Sequence, residues 1–170
     1  LYACPSCREV CRLKSRDGIF SCDCGLMVHY NTYGFFEGEN PPFGTVAEWD
    51  AWQEEFLRRY VGAVGDGPIY EDPGQSLFII GTDHSETFVT HGLLRLYKDH
   101  FELGGFSVPL SKLYQMGVYG DAHIVFSAEG VNYEIKSEIV RSGRKYETML
   151  GILTKKEAAA GKSAIMPPIS

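Results

Sequence analysis

The chain has 170 residues, with 22 acids against 16 bases, a formal net charge of -6 and 44% hydrophobic residues. That is enough apolar material for one domain of ordinary size plus a small appendage, and no apolar run approaches the roughly 18 residues of a membrane-spanning helix. The acidic balance works against a phosphate-binding surface, which depends on concentrated positive charge.

The first element is a cysteine-rich ribbon. Cys4-Pro5-Ser6-Cys7 has the spacing of a metal knuckle, in which one tight turn delivers two thiolates to the same ion at about 2.3 Å. Cys22-Asp23-Cys24-Gly25 follows 14 residues later and is one residue shorter than the usual C-x-x-C-G. Two close pairs at this separation are hard to explain as small buried hydrophobes. They predict a zinc site with Cys4, Cys7, Cys22 and Cys24 as the leading ligand set. Cys11 or His29 could replace a member of the short pair, whose spacing strains a shared tetrahedron. Four protein ligands leave no open position, so the site reads as structural and not catalytic. About 25 residues cannot close a core of their own, and metal binding would supply the missing folding energy. Cysteines at metal spacing also favour a reducing cytosol over a disulfide framework. Leu1-Tyr2 leads directly into the first knuckle, with no initiator Met or signal peptide, so the chain reads as a piece of a longer one.

Ribbon hairpins are expected at Glu9 to Lys14, Ile19 to Cys22 and Met27 to Tyr33. Arg8, Arg12, Lys14 and Arg16 make this strand the candidate surface for nucleic acid, although a solvated strand face explains them better. Residues 37–72 hold nine acids against Arg58 and Arg59. Within them Thr45-Val46-Ala47-Glu48 is a capping box. Behind it Trp49, Trp52, Phe56, Arg59 and Tyr60 recur at helical spacing, an aromatic stripe that predicts core packing and a clamp on the ribbon. Gly62, Gly65, Asp66, Gly67 and Pro68 then read as a linker.

From residue 75 the period changes to two. Strands are predicted at Ser76 to Thr82, Thr87 to Tyr97, Phe101 to Leu103, Phe106 to Val108, Leu113 to Val118, His123 to Ser127 and Val131 to Ile135. Turn residues at Lys98-Asp99, Gly104-Gly105, Gly120-Asp121 and Glu129-Gly130 separate them. Tyr146, Met149, Leu150 and Leu153 then make a helical stripe over Ser142 to Ala160, with Gly161 as its stop. The expected class is α+β, mainly β. It comprises a zinc-ribbon-like unit over 1–36, a linking amphipathic helix over 45–61, a seven-stranded antiparallel barrel with a terminal helix over 69–160, and a tail over 161–170.

Seven antiparallel strands followed by one amphipathic helix is the order of a pleckstrin-homology-like fold. The run Gly92-Leu93-Leu94-Arg95-Leu96-Tyr97-Lys98-Asp99-His100-Phe101-Glu102-Leu103 resembles the hairpin of bacterial pleckstrin-homology-like and GRAM-type domains. Val108-Pro109-Leu110-Ser111-Lys112-Leu113 resembles the segment that follows it. Three further segments resemble the C-terminal region of lysophospholipid acyltransferases of Firmicutes-type bacteria, the 1-acyl-sn-glycerol-3-phosphate acyltransferases. They are Leu1-Tyr2-Ala3-Cys4-Pro5-Ser6-Cys7, Tyr33-Gly34-Phe35-Phe36-Glu37 and Trp49-Asp50-Ala51-Trp52-Gln53. The resemblance covers residues 1 to about 60 by motif and the remainder by architecture. It departs at Cys22-Asp23-Cys24-Gly25, where C-x-x-C-G would be expected.

The resemblance implies a non-catalytic accessory region of an enzyme of phospholipid biosynthesis, docked on an upstream catalytic domain of the same chain. Through that parent the region would sit at the cytoplasmic face of the cell membrane, within reach of lipid or a protein partner. The family's H-x-x-x-x-D motif is absent: Gly34, Val89, Leu96, Gly105 and Ala128 stand where Asp would follow His29, His84, His91, His100 and His123. Other enzyme signatures fail as well. Gly105-Phe106-Ser107-Val108-Pro109 lacks the second glycine of a nucleophile elbow. His84-Ser85-Glu86 has the H-x-E of zinc deaminases without the Pro-Cys-x-x-Cys that should follow. Asp83, His84 and Glu86 read as a strand-end turn, and their two acids oppose anionic lipid at that loop. Docking on protein is therefore expected ahead of lipid binding, and the charge leaves a nucleic-acid-binding ribbon as the alternative.

Overall fold

A computed structural model describes residues 1–10, 12–120, 123–138 and 142–163, with side chains through Thr154 in the last segment. The chain divides into two compact units, Leu1–Ala63 and Val64–Ser170.

The first unit is a four-stranded antiparallel meander with one helix. Its strands are β1 (Leu13–Arg16), β2 (Ile19–Cys22), β3 (Met27–Tyr30) and β4 (Phe36–Glu37), in spatial order 1-2-3-4. Alternation puts Phe20, Val28 and Phe36 on one face, and Trp49 of α1 (Val46–Ala63) packs into them. Its ring lies 5.7 Å from that of Phe20 and 5.4 Å from that of Phe36. The helix starts where the capping box predicts. Thr45 Oγ1 accepts from the Glu48 N–H at 3.1 Å, and Glu48 Oε2 accepts from the N–H groups of Thr45 and Gly44. The buried stripe differs from the expected one: it runs Trp49, Gln53, Leu57, Val61. Trp52, Phe56 and Tyr60 form a half-buried aromatic ladder beside it. Arg59 faces water and pairs with Glu55.

The second unit holds the seven expected strands. They are β5 (Tyr70–Ile80), β6 (Glu86–Leu96), β7 (His100–Leu103), β8 (Phe106–Pro109), β9 (Leu113–Tyr119), β10 (His123–Ala128) and β11 (Val131–Ser137). The spatial order is 8-7-6-5-11-10-9, every pair antiparallel. Strand β5 begins well before Ser76 because the ladder with β6 continues across a bulge at Pro73-Gly74, where Gly74 adopts φ +69. Proline lacks the ladder donor and glycine supplies the left-handed turn, so the strand continues through these two residues as a bulge.

The sheet curls without closing. Phe101 on β7 and Phe126 on β10 have ring centroids 5.1 Å apart, although four strand spacings, about 19 Å if the sheet were flat, separate them. No ladder joins β8 to β9 among the described residues; a 3-10 turn, Leu110–Lys112, connects them instead. The expected closed barrel is therefore an open, strongly curled sheet. Its last element, α2 (Arg144–Ser163), lies against β9 and that turn. The predicted stripe Tyr146, Met149, Leu150 and Leu153 is buried, with Ile152 added. The helix runs two residues past Gly161, since one glycine costs only about 1 kcal/mol in a helix. The predicted tail beyond Ser163 lies outside the described residues.

One buried ion pair ties α2 to the bulged strand. Lys145 Nζ lies 2.5 Å from Asp72 Oδ2, both side chains almost fully buried, and the Tyr146 hydroxyl donates to the same oxygen at 2.6 Å. The ammonium also lies over the rings of Tyr70 and Tyr146 at 5.7 and 5.1 Å.

Candidate metal centre

The two knuckles are built alike, one residue apart in length. In the first, the Cys4 N–H donates to Glu9 O at 3.0 Å and the Arg8 N–H to Cys4 O at 2.9 Å. In the second, the Cys22 N–H donates to Leu26 O at 2.9 Å and the Gly25 N–H to Cys22 O at 3.0 Å. Each turn closes on a left-handed residue directly after its second cysteine, Arg8 at φ +62 and Gly25 at φ +98. The shortened C-x-C therefore makes the same kind of loop with a tighter closing bond. Strain falls on the longer knuckle, where an arginine holds a conformation that glycine adopts freely.

Together the turns bring Cys4, Cys7, Cys22 and Cys24 into one cluster, all four Sγ atoms within 4.8 Å of one another. The Cys4–Cys24 and Cys7–Cys22 sulfurs are 3.6 and 3.8 Å apart. Four thiolates at about 2.3 Å from a tetrahedral ion stand about 3.8 Å from each other, so the donor set fits such an ion. His29 is exposed on β3 and is not in the cluster; Cys11 lies outside the described residues. The backbone explains why the short pair needs no substitute, because Cys22 ends β2 and Cys24 sits on the turn itself.

Burial grades the four thiols. Cys4 is fully buried, and burial pushes its thiol up to about 12. Burial also raises Cys22. Cys24 is exposed, and the N–H of Leu26 donating to its sulfur holds it down at about 7. A cation in the cluster would favour the thiolate at every position.

A second layer holds the first knuckle. Trp49 Nε1 donates to the carbonyl of Ala3 at 2.9 Å. Gln53 Oε1 accepts from the N–H of Tyr2 at 3.1 Å and of Ala3 at 3.4 Å, while its Nε2 donates to Asp50 Oδ1 at 2.6 Å. Trp49 and Gln53 are both fully buried. Gln53 carries the sharper lesson: it stands four residues from both Trp49 and Leu57 on the apolar stripe, a position where an amide needs buried partners. That offset was its signal in the sequence.

The other candidates resolve into local structure. Asp83 caps its own turn, accepting from the hydroxyl and N–H of Ser85, which hold its carboxyl below the usual range. Glu86 pairs with Lys136 at 2.6 and 2.7 Å and pulls that ammonium up. Ser76, His91 and Glu138 come together on an exposed face, but hydroxyl and carboxylate both meet Nδ1, so no relay through the ring exists. An open cleft of about 480 Å³ runs beside Tyr97, Lys98 and His100; Lys98 donates to the carbonyl of Val64, and His100 pairs with Asp99 and Glu102. On the ribbon, Arg12, Lys14 and Arg16 pair with Glu9, Asp23 and Asp17. No helix among the described residues is long and apolar enough to cross a membrane. No family model matches the chain, and no curated protein matches it.

Proposed function

We propose that this chain is a metal-stapled accessory module whose four-cysteine centre holds structural zinc, and that it serves a 1-acyl-sn-glycerol-3-phosphate acyltransferase by docking on that enzyme's catalytic domain. The cysteine tetrahedron carries the first half. Its sulfur spacing matches four thiolates on one ion, and four protein ligands leave no position for substrate.

The second half rests on the sequence resemblance, and the fold supports it in one respect. The three segments that carry the resemblance pack together in one unit: Trp49 and Gln53 bond to Tyr2 and Ala3, and the Phe36 ring packs at a tilt against Trp49. Segments that share a core behave as one module. The pleckstrin-homology-like reading of the second unit is supported by seven antiparallel strands, a pronounced curl and a terminal helix. The ion pairs of Arg12, Lys14 and Arg16 with Glu9, Asp23 and Asp17 weigh against nucleic acid.

The test combines metal analysis with binding. Purified full chain should carry one zinc, lost in Cys24→Ser, and should bind the acyltransferase catalytic domain with little dependence on salt. An oligonucleotide that binds instead, with affinity falling steeply as salt rises, overturns the docking reading. A chain that takes up no zinc overturns the structural centre.

A further inference from the structure

The geometry points to the four-cysteine centre as a thiol–disulfide switch, in which a peroxide-class oxidant converts it to two disulfides, Cys4–Cys24 and Cys7–Cys22, and expels the metal. The inference rests on the structural-zinc reading above and deepens it. Three observations carry it.

The first is pairing. The 3.6 and 3.8 Å sulfur contacts each join one cysteine of the first knuckle to one of the second. A disulfide needs about 2.05 Å, so each pair closes by roughly 1.6 to 1.8 Å, a shift that side-chain rotation and small turn movements can cover. The second is access. Cys24 is exposed on the C-x-C turn while Cys4 and Cys22 are buried, so oxidant in water meets Cys24 first, with the Cys4 sulfur 3.6 Å away across the knuckles. The third is what remains after the metal leaves. The knuckle turns are closed by backbone hydrogen bonds, and the first is held from outside by Trp49 and Gln53. Cross-knuckle disulfides replace the ion as the link between the turns, whereas Cys4–Cys7 and Cys22–Cys24 bonds would leave them unlinked.

The chemistry balances with peroxide alone. The Cys24 sulfur attacks one peroxide oxygen, the O–O bond breaks, and a sulfenic acid forms with loss of water. The Cys4 sulfur then attacks the Cys24 sulfur, the S–O bond breaks, and a second water leaves. On the zinc-loaded centre the sulfurs are thiolates: two thiolates give up two electrons, the peroxide takes them up together with two protons from solvent, and one disulfide and two waters result. A second peroxide does the same for Cys7 and Cys22. Disulfide sulfur is no thiolate ligand, so the ion loses its donors and leaves.

The experiment uses the full chain carrying Cys11→Ser, loaded with zinc and titrated with hydrogen peroxide beside a zinc-sensitive dye. Disulfides are mapped by peptide mass spectrometry after blocking free thiols. The expected result is stoichiometric zinc release in step with the two cross-knuckle disulfides, reversed by reductant plus zinc. Unit 1 amides should keep most of their exchange protection in the oxidised form. In Cys24→Ser, Cys7–Cys22 should form and Cys4 should remain a free thiol. Intra-knuckle disulfides, sulfinic or sulfonic acids in place of disulfides, or four intact thiols at a dose that oxidises glutathione in the same tube each overturn the switch. A chain that never takes up zinc defeats the structural-metal reading by itself, and the peptide map of that metal-free chain still decides the pairing.

Discussion

The two units solve the same stability problem in different ways. Residues 1–63 centre on a small buried cluster, Phe20, Val28, Phe36 and Trp49, add Leu57 and Val61 along α1, and hold their chain start with hydrogen bonds to Trp49 and Gln53. The second unit buries leucines and aromatics from most of its strands and five apolar positions of α2, and adds a buried Lys145–Asp72 pair. A small unit cannot remove enough apolar surface from water to offset its chain entropy, whereas a seven-stranded sheet with a helix can. A metal held by the four cysteines would therefore be decisive for the first unit and irrelevant to the second.

Metal removal should break the comparison most sharply. Chelation, or Cys4→Ser, should unfold residues 1–63 while the second unit keeps its exchange protection, because structural zinc contributes on the order of 10 kcal/mol in small metal-dependent folds. Equal loss in both units would show that the first stands without its ion. Next in size come two reciprocal core lesions. Trp49→Ala should cost about 3–5 kcal/mol and weaken zinc affinity, since it removes both the core ring and the Ala3 anchor. Asp72→Ala should cost a similar 3–5 kcal/mol in the second unit alone by leaving Lys145 buried without its carboxylate. Denaturant melts followed by near-ultraviolet circular dichroism and by exchange would assign each loss to its unit. An intermediate case is Arg8→Gly, expected to stabilise the first unit by about 1 kcal/mol by relieving the left-handed arginine. A drop in zinc affinity there would mean that the Arg8 side chain, not its backbone, matters.

The smallest effect lies at the β6–β7 turn. Asp99 bonds His100 Nδ1 at 2.7 Å and raises its pKa, with burial opposing and Glu102 assisting. A raised folded value means that the pair stabilises fully below the unfolded value of about 6.5 and that this contribution is lost as pH rises through the folded one. Asp99→Asn should lower the His100 titration midpoint by NMR and flatten that pH dependence. An unchanged midpoint would shift the cause to Glu102.

What was legible in the chain follows from periodicity and local chemistry. Alternation located the strands of the second unit, the capping box started α1 at its observed residue, and Tyr146, Met149, Leu150 and Leu153 marked the buried face of α2. Such signals are local, set by 2.0 and 3.6 residue periods and by hydrogen bonds within one turn. The cysteine pairs were equally legible, since two residues between thiolates already define a turn.

Non-local features were not. Whether a meander closes depends on the summed twist and curl of seven strands and on pairing between β8 and β9, which no window of residues encodes. The Pro73-Gly74 bulge belongs to β5 only because β6 lies beside it and carries the ladder past it. Gln53 looks like one polar residue on a helix until the backbone of Tyr2 and Ala3, 50 residues away in sequence, arrives to use its amide. The sequence by itself determined most of the strands, the helices and the cysteine-bearing turns, because backbone preference and side-chain period act over a few residues. Only the tertiary structure decided that the short C-x-C completes the tetrahedron without His29, and that the sheet stays open. Those outcomes depend on distances between residues far apart along the chain, which packing alone sets.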